Sequence, residues 1–181
     1  MPNHVRNVLK FKKLKEKDIK AIEHTIATRI GGLADKVNYA IDFDKIIPEP
    51  RLKEDCPEDC LVNKDSHIME DEERPWFDWY TWRNKYWGTK WGAYDCYSII
   101  GKSYITFVFS TAWSMPYPII ERLCLLGYEF ELKYADEDYG SNCGILSYKS
   151  NSITSEMELY HNDESALKNP EQFAERLWNK Y

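Results

Sequence analysis

The stretch AYDCYSIIGKSYITFVFS, Ala93–Ser110, decides the fold. Its second half, Tyr104–Ser110, is dense in β-branched and aromatic residues and reads as a strand. Ala93–Ile100 reads as another, and Gly101-Lys102 between them is a hairpin turn, so the two pair antiparallel. Everything else is placed around this hairpin.

Upstream, Pro75 suits a helix's first turn, and Trp76, Trp79, Tyr80, Arg83 and Trp87 follow at helical spacing until Gly88 stops the helix. That spacing gives one aromatic face and leaves Trp82 off it. Arg51–Arg74 is charged and poor in large apolar groups, an exposed excursion with room for one short helical piece. Before it, Val37–Ile47 alternates Tyr39, Ile41 and Phe43 with polar residues, a second strand closed by Pro48-Glu49-Pro50. Ile19, Ile22, Ile26 and Ile30 form the apolar stripe of a helix that opens at Lys17-Asp18 and ends at Gly31-Gly32. His4–Lys13 has the partial period of two of a first strand.

Downstream, Pro116 and Pro118 precede Ile119, Ile120, Leu123 and Leu126, a helix closed by Gly127, and Tyr128–Tyr134 is the next strand. Cys143–Lys149 and Ser155–Tyr160 make a meander, and Pro170 starts a terminal helix carrying Phe173, Leu177 and Trp178 toward the core. The element order predicts an α+β fold, helices packed on one face of a largely antiparallel sheet. The 181 residues fit one domain, with an exposed insertion at about 51–74 and a helical extension at about 163–181.

Composition narrows the function classes. With 43% hydrophobic and 15% aromatic residues there is ample area to bury, which argues against disorder. A net charge of -6 disfavours a surface that tracks nucleic-acid phosphates throughout, although Arg6, Lys10, Lys12, Lys13, Lys15, Lys17 and Lys20 form one basic cluster. No window nears the roughly 18 apolar residues of a membrane span, and the N-terminus lacks the apolar run of a signal peptide. Five scattered cysteines fit free thiols in a reducing compartment, so the chain is expected in the cytoplasm of its host cell.

Five motifs carry a family resemblance: Met1-Pro2-Asn3 leading into a strand, Tyr86-Trp87-Gly88-Thr89-Lys90-Trp91, FVFSTAWSMPYP at Phe107–Pro118, Tyr134-Ala135-Asp136-Glu137-Asp138, and Asn142-Cys143-Gly144. Together they resemble the Api-type, YubB-like ferredoxin-like domain of phages, prophages and plasmids. The resemblance runs from residue 1 to about 150; the tail after Thr154 departs from it. It implies a ferredoxin-like fold and a mobile-element origin, and no settled biochemical activity.

Three constellations could carry chemistry. Cys56-Pro-Glu-Asp-Cys60 with His67 has two thiols that could grip zinc, but a structural site needs four ligands, and an adventitious disulfide fits the pair as well. Asp136, Glu137, Asp138 and Asn142 form an acidic turn with oxygens that Ca²⁺ or Mg²⁺ prefers, in a spacing unlike an EF-hand; a strand-ending turn bonded to nearby backbone is the favoured explanation. Trp79, Arg83, Trp87, Lys90, Trp91 and Trp113 are the candidate binding surface, able to stack on rings while cations hold phosphates, or else to pack as core. None of His4, His24, His67 and His161 belongs to a nucleophilic motif, and no phosphate-loop or dinucleotide fingerprint occurs, so no catalytic residue, metal or cofactor is assigned.

The expected function is a non-enzymatic interaction module docking on an unknown host or phage protein. Two alternatives stand beside it. One is a single-stranded nucleic-acid-binding module built from the N-terminal lysines and the tryptophan helix. The other is a metal-dependent hydrolase, which needs a further carboxylate or histidine brought to Asp136 and Asp138.

Overall fold

The computed structural model describes residues 3–31, 38–62, 73–150, 157–163 and 168–181, with residues 150 and 157–163 described through their backbone. The strands are β1 (His4–Phe11), β2 (Ala27–Gly31), β3 (Asn38–Ile41), β4 (Tyr94–Ile100), β5 (Ile105–Ala112), β6 (Phe130–Asp136), β7 (Cys143–Ser150) and β8 (Met157–Asp163). The helices are α1 (Glu16–Ile26), α2 (Phe43–Ile46), α3 (Trp79–Tyr86), α4 (Tyr117–Cys124) and α5 (Pro170–Lys180).

Six strands form one antiparallel sheet in the order β4-β5-β1-β6-β7-β8. The first four, with α1 after β1 and α4 after β5, make the β-α-β-β-α-β ferredoxin-like unit. Residues 27–93 are inserted between its first helix and second strand, and β7, β8 and α5 follow its last strand. β1 lies at the centre, paired from His4↔Ala112 to Phe11↔Ile105 on one side and from Val5↔Asp136 to Phe11↔Phe130 on the other.

Period-two alternation sorts the side chains. Val5, Leu9 and Phe11 of β1, Phe107 and Phe109 of β5, and Phe130 and Leu132 of β6 point to the main core, where Ile19, Ile22 and Ile26 of α1 and Ile119, Ile120 and Leu123 of α4 meet them. Each such fully buried side chain contributes about 1.5–3 kcal/mol. The other face carries a smaller cluster, Val8, Val108, Ala135 and Cys143, covered by Ala174 and Leu177 of α5. α1 and α4 thus share one face as expected, while α5 packs on the opposite face.

Three sequence expectations shift. The α1 stripe stops at Ile26, and Ile30 is exposed, because Ala27–Gly31 leaves the helix to pair with β3. β-branched Thr28 and Ile30 suit that ribbon better than a further helical turn. The predicted strand Val37–Ile47 is cut at Ile41, since Asp42 accepts a hydrogen bond from the Asp44 N–H (3.1 Å) and caps α2. β2 and β3 also form their own ribbon outside the main sheet. Asn38 stands against edge strand β4, its Oδ1 accepting the Ser98 N–H (2.7 Å) where a neighbouring strand's carbonyl would otherwise act.

Lastly, α3 begins at Trp79, not at Pro75. The Asp78 carboxylate caps it by accepting the Thr81 N–H (3.0 Å). Among its described residues the excursion holds two single 3₁₀ turns, Lys53–Asp55 and Glu58–Cys60.

Candidate functional site

At the end of the sheet where β1 starts and β5 and β6 finish, three connections meet: residues 88–92 after α3, 113–116 after β5 and 137–142 after β6. Hydrogen bonds knit the first two. Thr89 Oγ1 donates to Ala112 O (2.8 Å), Ser114 Oγ to Gly88 O (2.5 Å) and Thr111 Oγ1 to Ser114 O (2.7 Å). Gly88 has φ +76, and a Cβ there would stand 2.6 Å from Pro118 Cδ, so only glycine fits beneath the 113–118 segment.

Trp113 is the unusual residue of this end. Its φ of +70 is a conformation that bulky side chains rarely adopt, and its ring is 42% exposed. The backbone is held from both sides: Trp113 N donates to Asn3 O (2.9 Å), and Asn142 Nδ2 donates to Trp113 O (2.9 Å). The Lys90 ammonium lies between Trp91 (5.0 Å to the ring centre), Trp113 (5.3 Å) and Tyr80 (5.9 Å), within cation–π range of all three. Tyr80 meets Trp113 edge to face at 6.4 Å and is itself 38% exposed.

The acidic turn adjoins this cluster. Asp136 is buried; its Oδ1 accepts the Asp138 N–H (2.9 Å) and its Oδ2 accepts from Asn142 Nδ2 (3.1 Å). This is the local side-chain-to-backbone bonding of a strand-ending turn. Asn3 Nδ2 donates to Asp138 Oδ2 (2.8 Å), and Glu137 Oε1 accepts the His4 N–H (2.9 Å). Glu137 and Asp138 remain exposed. Among the described residues no group of three or more His, Cys, Asp or Glu side chains is placed to hold a metal ion.

The structure therefore brings Lys90, Trp91 and Trp113 together with Asp136, Glu137, Asp138 and Asn142. It separates the other three aromatic-surface residues from them. Trp87 is buried and donates from Nε1 to Ile47 O (2.9 Å). Arg83 stacks between Trp79 and Trp87 (5.1 Å to each ring) and donates to the buried Glu49 carboxylate (2.5 Å). Glu49 also takes Arg74 (2.9 Å), so Arg83 and its rings are a structural clamp on the insertion. Trp82, assigned off the aromatic face, is a core residue stacked on Tyr86 (5.0 Å). Tyr80 belongs to the surface cluster, although helical spacing makes it one more position of the aromatic face; its contact with Trp113 spans 33 residues and leaves no local signal.

The N-terminal cations lie elsewhere. Lys12 pairs with Glu131 and Lys13 with Glu129 at the far end of β1, roughly 25 Å along the strand from Trp113 at about 3.3 Å per residue. Arg6 stacks on Trp178 of α5, on the face opposite the main core. Lys12, Lys13 and Arg6 share no surface with Trp91 and Trp113.

Cys56 and Cys60 are packed into the main core, and Cys56 Sγ donates to Cys60 O (3.5 Å). His67 lies outside the described residues. Burial, with the Asp59 charge, pushes the Cys60 thiol up to about 11, away from the thiolate that zinc binds. Burial likewise raises Cys124 to about 11 and Cys96 and Tyr94 to about 12. All four are neutral when folded and ionise more readily when unfolded. Their contribution is complete below the unfolded values, about 8.5 for the thiols and about 10 for the tyrosine, and is lost as pH rises through their folded values. The urea midpoint is therefore expected to hold from pH 7 to 8 and to fall between pH 9 and 11; an unchanged midpoint over that range would contradict it.

Among the described residues no helix is long and apolar enough to cross a membrane. No curated protein and no solved structure matches the sequence. One family does, described as the ferredoxin-like domain in Api92-like protein, over residues 86–178. The match takes in the tail that the motif resemblance left aside and begins within the aromatic motif at Tyr86. It covers just over half of the 181 residues, and the strand order β4-β5-β1-β6 agrees with its fold. The chain belongs to the Api92-like family and carries its ferredoxin-like domain.

Proposed function

We propose that the protein is an accessory factor of a phage, prophage or plasmid that acts in the host cytoplasm as one folded domain. It docks the aromatic and acidic end of its sheet on a host or phage protein. The observation that carries this reading is Trp113: a large ring, 42% exposed, on a backbone at φ +70 that Asn3 and Asn142 hold in place. Strained, over-determined backbone at the surface is a feature of binding sites, and exposed Trp and Tyr rings supply most of the energy at protein interfaces. Glu137 and Asp138 beside it steer partners by charge.

The test is a tagged pull-down from cells carrying the native mobile element, with crosslinking, nuclease treatment and mass spectrometry, run on the wild type and on W113A/Y80A. The expected result is a stoichiometric protein that survives nuclease and drops at least tenfold with the double variant. A partner that nuclease removes, or one retained equally by W113A/Y80A, would overturn the reading. The variant's melting temperature should stay close to wild type, since both rings are exposed.

A further inference from the structure

On the face away from the main core, α5 separates its own charges. At about 100° per residue, Glu171 and Glu175 lie on one flank, whereas Arg176 and Lys180 lie about 140° and 180° round from Glu171. The acidic flank faces the 139–141 turn, where a Cβ on Gly140 would stand 2.8 Å from Glu171 Cγ. The basic flank borders a cavity of about 550 Å³ whose lining includes Lys133 of β6, Lys168, Gln172, Phe173, Arg176 and Lys180. Among the described residues no Asp or Glu side chain lines it.

This concentration of cations stands out in a chain of net charge -6. Arg176 and Lys180, four apart on a helix, repel each other and gain nothing from the arrangement. Lys133 lies 3.6 Å from Glu131, a group already held by Lys12 at 2.8 Å. Arg176 and Lys168 have no ion pair among the described residues. Four positive side chains share this lining with one carboxylate, that of Tyr181, whose oxygen the Tyr97 hydroxyl already engages, so the lining keeps an excess of positive charge that suits an anion. Phe173 adds an apolar ring, half-buried in the same lining, and Gln172 an amide. The helix end is anchored too, because the Tyr97 hydroxyl donates to Tyr181 O (2.8 Å).

We propose that this cavity binds a nucleotide through its phosphate, with Arg176, Lys180, Lys133 and Lys168 holding the phosphate oxygens and Phe173 offering a ring to the base. Arginine can meet two phosphate oxygens at once, stacking on an aromatic ring tolerates every base, and the volume falls in the range of small-ligand sites. The nucleotide can be free or part of a single strand. The site shares no residue with the Trp113 surface, so it stands or falls separately from the docking reading.

The experiment is fluorescence anisotropy on the full chain with two probe classes, a labelled mononucleotide and labelled twelve-residue single-stranded DNA and RNA, at 50 and 200 mM salt. The variants are R176E/K180E, at two exposed helix positions, and K102E at the exposed hairpin turn as a charge control, each checked for unchanged melting. Wild type should bind at least one class saturably. R176E/K180E should weaken it at least tenfold and K102E less than twofold. For a strand, the double variant should also lower the salt slope by about 1.4, two contacts at about 0.7 each. Mononucleotide binding identifies the free ligand as the source; oligonucleotide binding alone identifies a strand. Absence of binding by either class at 50 mM salt, binding indifferent to R176E/K180E, or equal weakening by K102E would overturn the proposal.

Discussion

Replacing Glu49 with alanine is expected to cost about 3–5 kcal/mol, enough to unfold a large share of a marginally stable domain. The carboxylate is only 5% exposed and receives Arg74 at 2.9 Å and Arg83 at 2.5 Å. Arg74 stacks on Phe77, and Arg83 on Trp79 and Trp87, so neither guanidinium can turn to water without breaking ring contacts. E49A thus leaves two partly buried cations facing each other. The cost comes from that unpaired charge more than from the pair's own attraction, because desolvation nearly offsets the Coulomb gain of a buried bridge. The triple change E49L/R74M/R83M is accordingly expected to recover most of the loss. Urea unfolding of both variants checks this, and a single E49A costing under 1 kcal/mol would show that the clamp does not bind the insertion to the core.

Trp82→Ala is expected to cost about 3–5 kcal/mol by leaving a cavity, whereas Trp113→Ala should stay within about 0.5 kcal/mol. Trp82 is 3% exposed and meets Phe77 (6.1 Å), Tyr86 (5.0 Å) and Trp87 (5.5 Å). Trp113 is 42% exposed, meets the half-exposed Tyr80 and the Lys90 ammonium and no buried core ring, and holds its conformation through backbone bonds that alanine keeps. Thermal unfolding of the two variants side by side decides the matter; comparable losses would place Trp113 in the folding core instead of on a binding surface.

The sequence showed the α+β class and nearly every strand of the main sheet, because alternation and glycine or proline punctuation are local signals. Phe107 and Phe109 declare the core of β5 on their own. Other features depend on distant partners. Ile30 continued a helical stripe on paper, but Ala27–Gly31 pairs with β3. A helical wheel drawn from Pro75 puts Trp87 on the aromatic face and Trp82 off it. In the structure both are buried and Tyr80 is exposed, because which face of α3 meets the core is set by the distant elements that pack on it. The acidic turn was legible, yet its junction with Trp113 runs through Asn142 and Asn3, which neither spacing nor composition ties to a tryptophan so far along the chain.

The central place of β1 carries a consequence for synthesis. It leaves the ribosome well before its partners, which begin only at Ile105 on one side and Phe130 on the other. At about 5–20 residues per second the growing chain carries an unmatched Val5, Leu9 and Phe11 for roughly five to twenty-five seconds. The segment matched to the family, starting at Tyr86, omits this strand altogether. Expressed alone it would present β5 and β6 with a gap one strand wide between them, so the portion that comparison detects is smaller than the portion that can close a sheet.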